Sequence, residues 1–366
     1  MSTTESCKTV ELEGVFKGRR ICLLAPYPPR KGGVTVQTDL IATALKREGA
    51  DLIRVDTNLH KLRIPIIGTP IRLLVQPWVV AWRLLWALPK CEVIHIQAAA
   101  NWGYLPAVIG APMARLFRRR SVMSFHSGIG PQFMDRFPWL VKMPFRLVTV
   151  PVVCSPELQV AFRERGIEAE FHRNLFEPEL YRFRERIAIK PNIIWNRSFE
   201  ELYDPFSAIK AFELIKKQYP DATLLMTSDG PLMPAIKDYV KSRGITGVTM
   251  PGRIPKEDLA KAMNDADIQL NTTIADGLPT SLLEAGASGL AIVTTNAGGI
   301  AFLLGHEESA MLVGVRDYEA MADAIIYLLE HPDRAQAMGR AAREVAMDYT
   351  WSRNREVFAR SYGLCD

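Results

Sequence analysis

Two carboxylates, Asp276 and Glu284, stand with seven residues between them, Gly277-Leu278-Pro279-Thr280-Ser281-Leu282-Leu283. The surrounding string, Ile268 to Ile300, reads as strand, turn, helix, strand. Its β-type runs are Ile268–Thr273 and Ala291–Thr295; the turn is Asp276-Gly277-Leu278-Pro279, and the helix runs from about Ser281 to Ala287. Such a turn delivers a helix N-terminus to the carboxyl end of a strand. Backbone N–H groups there are unpaired and the helix dipole is positive, which suits a diphosphate. Carboxylates beside a phosphate would repel it, so their useful partners are hydroxyls, as on a sugar or ribose. The stretch therefore reads as a pocket for a sugar joined to a phosphate. A structural reading competes with it: Ser281-x-x-Glu284 has capping-box spacing, and Asp276-Gly277 is a common turn pair.

Those residues need a scaffold, and alternating elements supply one. In the first half Arg20–Ala25 is a short apolar strand, followed by a Pro/Gly turn with Gly32-Gly33 and a helix carrying Val36, Leu40, Ala44 and Leu45. Strands follow at Asp51–Thr57, Glu92–Gln97, Ser121–His126 and Thr149–Ser155, with helices at Ile71–Leu88, Tyr104–Arg118 and Pro156–Arg165. Neither G-x-G-x-x-G nor G-x-x-x-x-G-K is present. The alternation predicts a doubly wound sheet whose ligands gather at the carboxyl ends of the strands. His126 and His95 lie at such ends, and no third ligand is spaced to make a metal site of them. Trp78, Trp82 and Trp86 recur at helical spacing, which predicts a sheet-packing helix with that stripe inward. Arg115–Arg120 and the Phe133–Arg146 segment look less like core; arginine clusters with aromatics suit an anionic lipid surface, and no nucleic-acid module accompanies them. A second α/β series, Asn192–Ser198, Thr223–Ser228 and Val248–Met250, leads into the Ile268 stretch.

At 366 residues and 48% apolar content the chain is long enough for two α/β domains. Residues 1–190 hold 28 Lys and Arg against 16 Asp and Glu, the remainder 17 against 24. A basic half joined to an acidic half predicts two domains with different surfaces, the first with an anionic partner. Five scattered cysteines with no C-x-x-C pair fit a reducing cytosol. The N-terminal stretch has no signal-type apolar core, and no run reaches ~18 uncharged apolar residues, so the expected location is cytoplasmic.

Taken together, Asp276-Gly277-Leu278-Pro279-x-Ser281-Leu282-Leu283-Glu284-Ala285, then Gly289 and Gly298-Gly299, resembles the donor-site signature of glycosyltransferase family 4, the group 1 type. Gly32-Gly33 resembles that family's N-terminal glycine loop, and Phe125-His126 its sugar-side histidine. The resemblance implies an α/β protein of the GT-B fold, two Rossmann-like doubly wound domains facing across a cleft. Their expected bounds are 1–186 on the acceptor side and 187–348 for the nucleotide sugar, with 349–366 a helix crossing back to the first domain. The implied reaction moves a sugar from a nucleotide diphosphate sugar to an acceptor hydroxyl with retention of configuration, in polysaccharide or glycolipid biosynthesis.

The resemblance also assigns residues. Glu284 would hold the ribose, Asp276 a sugar hydroxyl, Arg197 the leaving diphosphate, His126 the sugar and Gly32-Gly33 the diphosphate. Gly277, Leu278, Thr280 and Ser281 would complete the donor site, with no cofactor and no metal. The partners implied are the nucleotide sugar, a glycan or lipid-linked acceptor and an anionic membrane at its inner face, with no nucleic acid. Two departures stand out. Asp276 replaces the family's usual Glu, and the lysine expected about six residues after Arg197 is replaced by the Glu201-Leu202-Tyr203-Asp204 neighbourhood. Arg253 and Lys256 are the candidate substitutes. A non-catalytic nucleotide-sugar-binding protein and a sugar-nucleotide epimerase are the rival readings.

Overall fold

The computed structural model describes residues 14–27, 33–58 and 69–365. The chain forms two compact units, one made of Met1–Leu175 with Trp351–Asp366, the other of Phe176–Thr350. In the first unit six strands make one sheet: β1 Arg20–Ala25, β2 Asp51–Asp56, β3 Val93–Ala98, β4 Arg120–Phe125, β5 Val150–Val153 and β6 Glu170–Phe171. Their order is β2-β1-β3-β4-β5-β6, every neighbouring pair parallel. Parallel strands need crossover helices on the faces, so β3 and most of β1 are buried along their length, as their apolar runs require.

The last helix, Trp351–Ser361, belongs to this first unit. Trp351 donates its indole N–H to Glu48 at 2.9 Å and lies against Phe16. Tyr362, just past the helix, meets His95 Nδ1 at 2.7 Å, and the Nε2 of that ring meets Ser124 at 2.8 Å. His95 is therefore a fully bonded core residue, held neutral because burial lowers its pKa to about 3.

Three expectations about the helices change. In the helix Thr69–Ala87 the core side is Val80, Leu84 and Ala87, while Trp78, Trp82 and Trp86 face solvent. The stripe at i, i+4, i+8 was correctly periodic, but the smaller residues offset from it fit against the sheet and the indoles do not. In Phe133–Arg146 the reverse holds for part of the segment. Phe133, Met134, Val141 and Phe145 are buried, and only Phe137 and Trp139 among its large apolar residues are exposed. Val36 is exposed, and the buried face of its helix, Gly33–Arg47, is carried instead by Gln37, Thr38, Ile41 and Leu45 among others.

The second unit repeats the plan with β7 Asn192–Trp195, β8 Thr223–Thr227, β9 Val248–Gly252, β10 Ile268–Asn271, β11 Ala291–Thr295 and β12 Met311–Val313. Their order is β12-β11-β10-β7-β8-β9, again all parallel. The direction of winding reverses between β7 and β10. In open parallel sheets the crevice at that switch point, beyond the strands' carboxyl ends, is where ligands bind.

A buried guanidinium secures this unit's helices. Arg186 is nearly inaccessible and donates to the carbonyls of Met263 at 2.9 Å, Ala266 at 2.6 Å and Ser288 at 2.6 Å. Those carbonyls close the helices Lys256–Asp265 and Thr280–Ser288, whose last C=O groups have no partner within the helix. Buried Asp267, 3.3 Å away, balances the charge and is shared with Arg184. Burial lowers the Arg186 pKa to about 10, still leaving it charged at neutral pH. Arg186→Met should therefore cost about 3 kcal/mol or more, since the carbonyls and half of a buried ion pair lose their partner. Urea unfolding at pH 7 checks this, and a loss under about 1 kcal/mol, the scale of an ordinary surface change, would contradict it.

Candidate functional site

Three strands of the second unit end at one place. Beyond β7 come Asn196 and Arg197; beyond β10 comes the loop through Asp276 into the helix Thr280–Ser288; beyond β11 come Gly298 and Gly299. The last two loops touch backbone to backbone. The Gly299 N–H donates to the Asp276 carbonyl at 2.8 Å, and a Cβ on Gly298 or Gly299 would overlap the carbonyl oxygens of Asp276 and Gly277 respectively. Glycine is required there because nothing larger fits between the chains. Hydroxyls brace the same loop from behind: Thr272 Oγ1 donates to the Tyr203 carbonyl at 2.6 Å, and Thr295 Oγ1 to the Thr273 carbonyl at 2.6 Å.

Asp276 and Arg197, given separate roles by the resemblance, are ion-paired with each other in this structure. Both side chains are largely buried, so each needs the other. Arg197 also donates to Ser281 Oγ at 3.1 Å and lies 4.2 Å above the centre of the Tyr203 ring, while its Nε has no partner. Tyr203 thus occupies the neighbourhood where a lysine was expected and holds the guanidinium by its π face. The Asp204 carboxylate is engaged locally. The residue takes a left-handed conformation and caps the helix Pro205–Gln218, accepting from Ser207 N at 3.2 Å and Ser207 Oγ at 2.5 Å.

Glu284 is not part of a capping box. The helix N-cap is Pro279, with no side-chain cap bond, so Ser281 is already inside the first turn. The half-buried Glu284 carboxylate accepts from Asn196 Nδ2 at 3.2 Å, and Asn196 Oδ1 in turn accepts from buried Gln269 of β10 at 2.9 Å. The Tyr181 hydroxyl lies near Glu284 but outside hydrogen-bond geometry, leaving it unpartnered. Burial raises the Glu284 pKa, against the opposing pull of Tyr181, Lys256, Arg197 and Asn196. Lys256 therefore acts on this site, whereas Arg253 stands near Asp229, 3.7 Å away, with both exposed. Among the described residues the N–H groups of Gly277 and Leu278 have no partner, and that of Thr280 opens the helix.

In the first unit, His126 follows β4 and donates its backbone N–H to the Ala98 carbonyl at 2.8 Å. Neither ring nitrogen has a hydrogen-bond partner of full geometry, and burial lowers the pKa to about 4, so the ring is neutral at pH 7. Gly33 opens its helix with free space around it and without a left-handed backbone; Gly32 lies outside the described residues. Asn196, Gln269 and Tyr181 escaped the sequence reading. The signal for the first two was polar residues in or next to otherwise apolar strands, Ile-Ile-Trp-Asn and Ile-Gln-Leu-Asn. Among the described residues no group of three or more His, Cys, Asp or Glu is arranged to hold a metal ion.

The arrangement offers a diphosphate free backbone donors and a guanidinium, and offers hydroxyls two oriented carboxylates. Residues 180–345 match the model of the glycosyl transferases group 1. The GDP-mannose-dependent alpha-(1-6)-phosphatidylinositol monomannoside mannosyltransferase of Mycobacterium tuberculosis is 27% identical over 179 residues, 46% of this chain and 46% of that protein. The match thus spans under half the length of that relative. The glycogen synthase of the same organism is 22% identical over 361 residues, 95% of this chain and 81% of the other. The structure of Anabaena Alr3699/HepE in complex with UDP and glucose aligns with a TM-score of 0.67 at 16% identity, covering 94% of this chain and 99% of that one. The two units therefore have the two-domain α/β architecture of the GT-B fold, and the second unit carries the match to the group 1 glycosyl transferases.

Proposed function

We infer that this chain transfers a sugar from a nucleotide diphosphate sugar to an acceptor hydroxyl with retention of anomeric configuration, in glycolipid or polysaccharide synthesis. The observation that carries the reading is the meeting at one switch point of Glu284, Asp276, Arg197 and the free N–H groups of the Thr280 helix. In this reading Glu284, oriented by Asn196, accepts from the ribose hydroxyls. The diphosphate lies against the N–H groups of Leu278 and Thr280, with Pro279 offering none. Arg197 moves from Asp276 to the phosphate oxygens, which releases Asp276 to a sugar hydroxyl. Negative charge grows on the diphosphate as the glycosidic bond breaks, and the fixed N–H array, with the guanidinium now on the phosphate, stabilises that charge most in the transition state.

Lys256 serves as the second cation in place of the absent lysine. His126 serves as a neutral hydrogen-bonding group for a sugar, not as an acid, because its ring is uncharged at working pH. The reading requires no metal and no cofactor beyond the donor, and places the acceptor, a glycan or a lipid-linked one, at the inner face of a membrane in a cytoplasmic setting. Incubation with a panel of nucleotide sugars and an acceptor panel, with and without chelator, tests it. Chelator-insensitive transfer giving a product of the donor's anomeric configuration is expected. Nucleotide binding with no turnover would favour a binding protein, and chelator loss restored by Mg²⁺ would overturn the metal-free reading.

Glu284 gives a sharper check. Glu284→Gln should weaken nucleoside-diphosphate binding by about 1.5–3 kcal/mol, or about ten- to a hundredfold. The raised folded-state pKa gives a contribution to stability that is full below the unfolded value and lost as pH rises through the folded one. At neutral pH the substitution should therefore leave thermal stability equal or higher. Wild-type affinity should also fall as pH drops toward the raised pKa, a dependence the Gln variant lacks. Calorimetry and melting curves across pH 5–8 measure both. Lower stability with unchanged affinity would mean that Glu284 serves only its helix.

A further inference from the structure

The outward turn of the tryptophans on the helix Thr69–Ala87 leaves a feature that the donor site does not use. Trp78, Trp82 and Trp86 are 78%, 62% and 60% exposed, with Val75 and Leu85 also exposed on that helix. Trp82 and Trp86 pack edge to face, 5.9 Å between ring centres. They line an open groove of about 580 Å³ together with Arg54, Arg83 and Lys90. At the helix end Arg119 donates to the carbonyl of Pro89, next to Lys90, at 3.1 Å. That bond joins the groove to a second, basic pocket of about 490 Å³ lined by Arg115, Arg118, Arg119 and Arg120 with Leu147 and Thr149.

Among the described residues none of these four arginines is in an ion pair, and the Nε of Arg119 is buried without a partner. Glu92, which opens the way into β3 nearby in sequence, is taken by Arg19 and Arg20 at 3.3 and 3.6 Å. Arg120 is fixed by the carbonyls of Ser361 and Arg360 at 2.8 and 3.3 Å, so its guanidinium is presented rather than free to collapse.

The geometry points to one docking surface for an anionic phospholipid bilayer, made of the tryptophan face and the arginine pocket beyond its end. Indoles have an apolar body and a polar N–H, and settle at the headgroup level of a bilayer. Guanidinium groups pair with phosphate in two parallel bonds and bring no acid of their own to repel it. A second copy of this chain is a poorer occupant, because a two-fold contact would set uncompensated arginines against themselves. Lipid docking also agrees with the absence, among the described residues, of any helix long and apolar enough to cross a membrane, since surface attachment needs none. The surface rests on the lipid-facing part of the reading above and sharpens it. Vesicle binding is measured without turnover, so its failure leaves the donor chemistry untouched.

Flotation of the full chain with phosphatidylcholine vesicles, with and without phosphatidylglycerol, tests the surface. Wild type should float only with the anionic vesicles, with a blue shift of indole emission, and should release as salt rises. Arg115→Gln with Arg118→Gln removes two charges that make no internal bond. Partitioning should then fall about fivefold for each, as expected of a basic residue near an anionic leaflet. Trp78→Gln, Trp82→Gln and Trp86→Gln together should abolish the emission shift, with circular dichroism confirming that the exposed substitutions leave the fold intact. The proposal is overturned if wild type fails to bind anionic vesicles at low salt, or if both variants bind as wild type does. It is equally overturned if the tryptophan set changes only self-association in sedimentation, or if inorganic phosphate fills the arginine pocket without any vesicle binding.

Discussion

The candidate site depends on a helix clamped at both ends. At its amino end the Asp276-Gly277 turn is pressed against Gly298-Gly299 so closely that only glycine fits, with the Gly299 N–H bonded to the Asp276 carbonyl. At its carboxyl end Ser288 is held by Arg186, and Arg343 donates to the Ala287 carbonyl at 2.6 Å. Between them Gly286 allows the helix to approach the Ala342 backbone of the helix Pro332–Met347. A helix so fixed points its free N–H groups at one place without reorganising, which is what stabilising a developing negative charge requires.

Charge compensation follows from that clamp. Arg197 and Asp276 are too buried to stand alone, and their pairing, with the Tyr203 ring beneath the guanidinium, leaves neither charge orphaned. A phosphate ligand must then exchange for Asp276 as the partner of Arg197, and part of its binding energy offsets the broken pair. Glu284 is treated differently: Asn196 and Gln269 orient it by neutral hydrogen bonds, and Lys256 and Arg197 moderate the cost of its burial. The two carboxylates thus differ in environment as they differ in proposed role. One is held by a cation that a ligand can draw away, the other by amides that stay in place.

The alternation of apolar runs with helical spacing was enough to place ten of the twelve strands, because parallel strands buried on both faces announce themselves as continuous apolar segments; the short edge strands Glu170–Phe171 and Met311–Val313 are not fully buried and gave no such signal. The Ile268–Ile300 stretch was legible for the same reason, and its acids, turn and helix fall together at the carboxyl edge of β10. What could not be read was direction. Trp78, Trp82 and Trp86 have core-like periodicity, yet periodicity names a face and not the side to which it turns; the packing of Val80 and Leu84 decides that. The Ser281–Glu284 spacing equally fits a capping box, and only the backbone of Pro279 shows that the helix starts too early for one. The cap that Asp204 gives the helix Pro205–Gln218 through Ser207 was equally hidden, because it depends on a left-handed backbone at Asp204. Gln269 and Asn196 act across strands that are distant in sequence, a relation that no local spacing encodes.

In the proposed function Arg197 and Glu284 divide one ligand between its diphosphate and its ribose. A crystal structure of this chain with a nucleoside diphosphate bound tests it most directly. Phosphate oxygens should lie at the Leu278 and Thr280 N–H groups and on Arg197, with the guanidinium drawn off Asp276, and ribose hydroxyls on Glu284. A nucleotide bound away from the β7–β10 switch point, or one seated there with Arg197 still paired to Asp276 and Glu284 touching only Asn196, would contradict it.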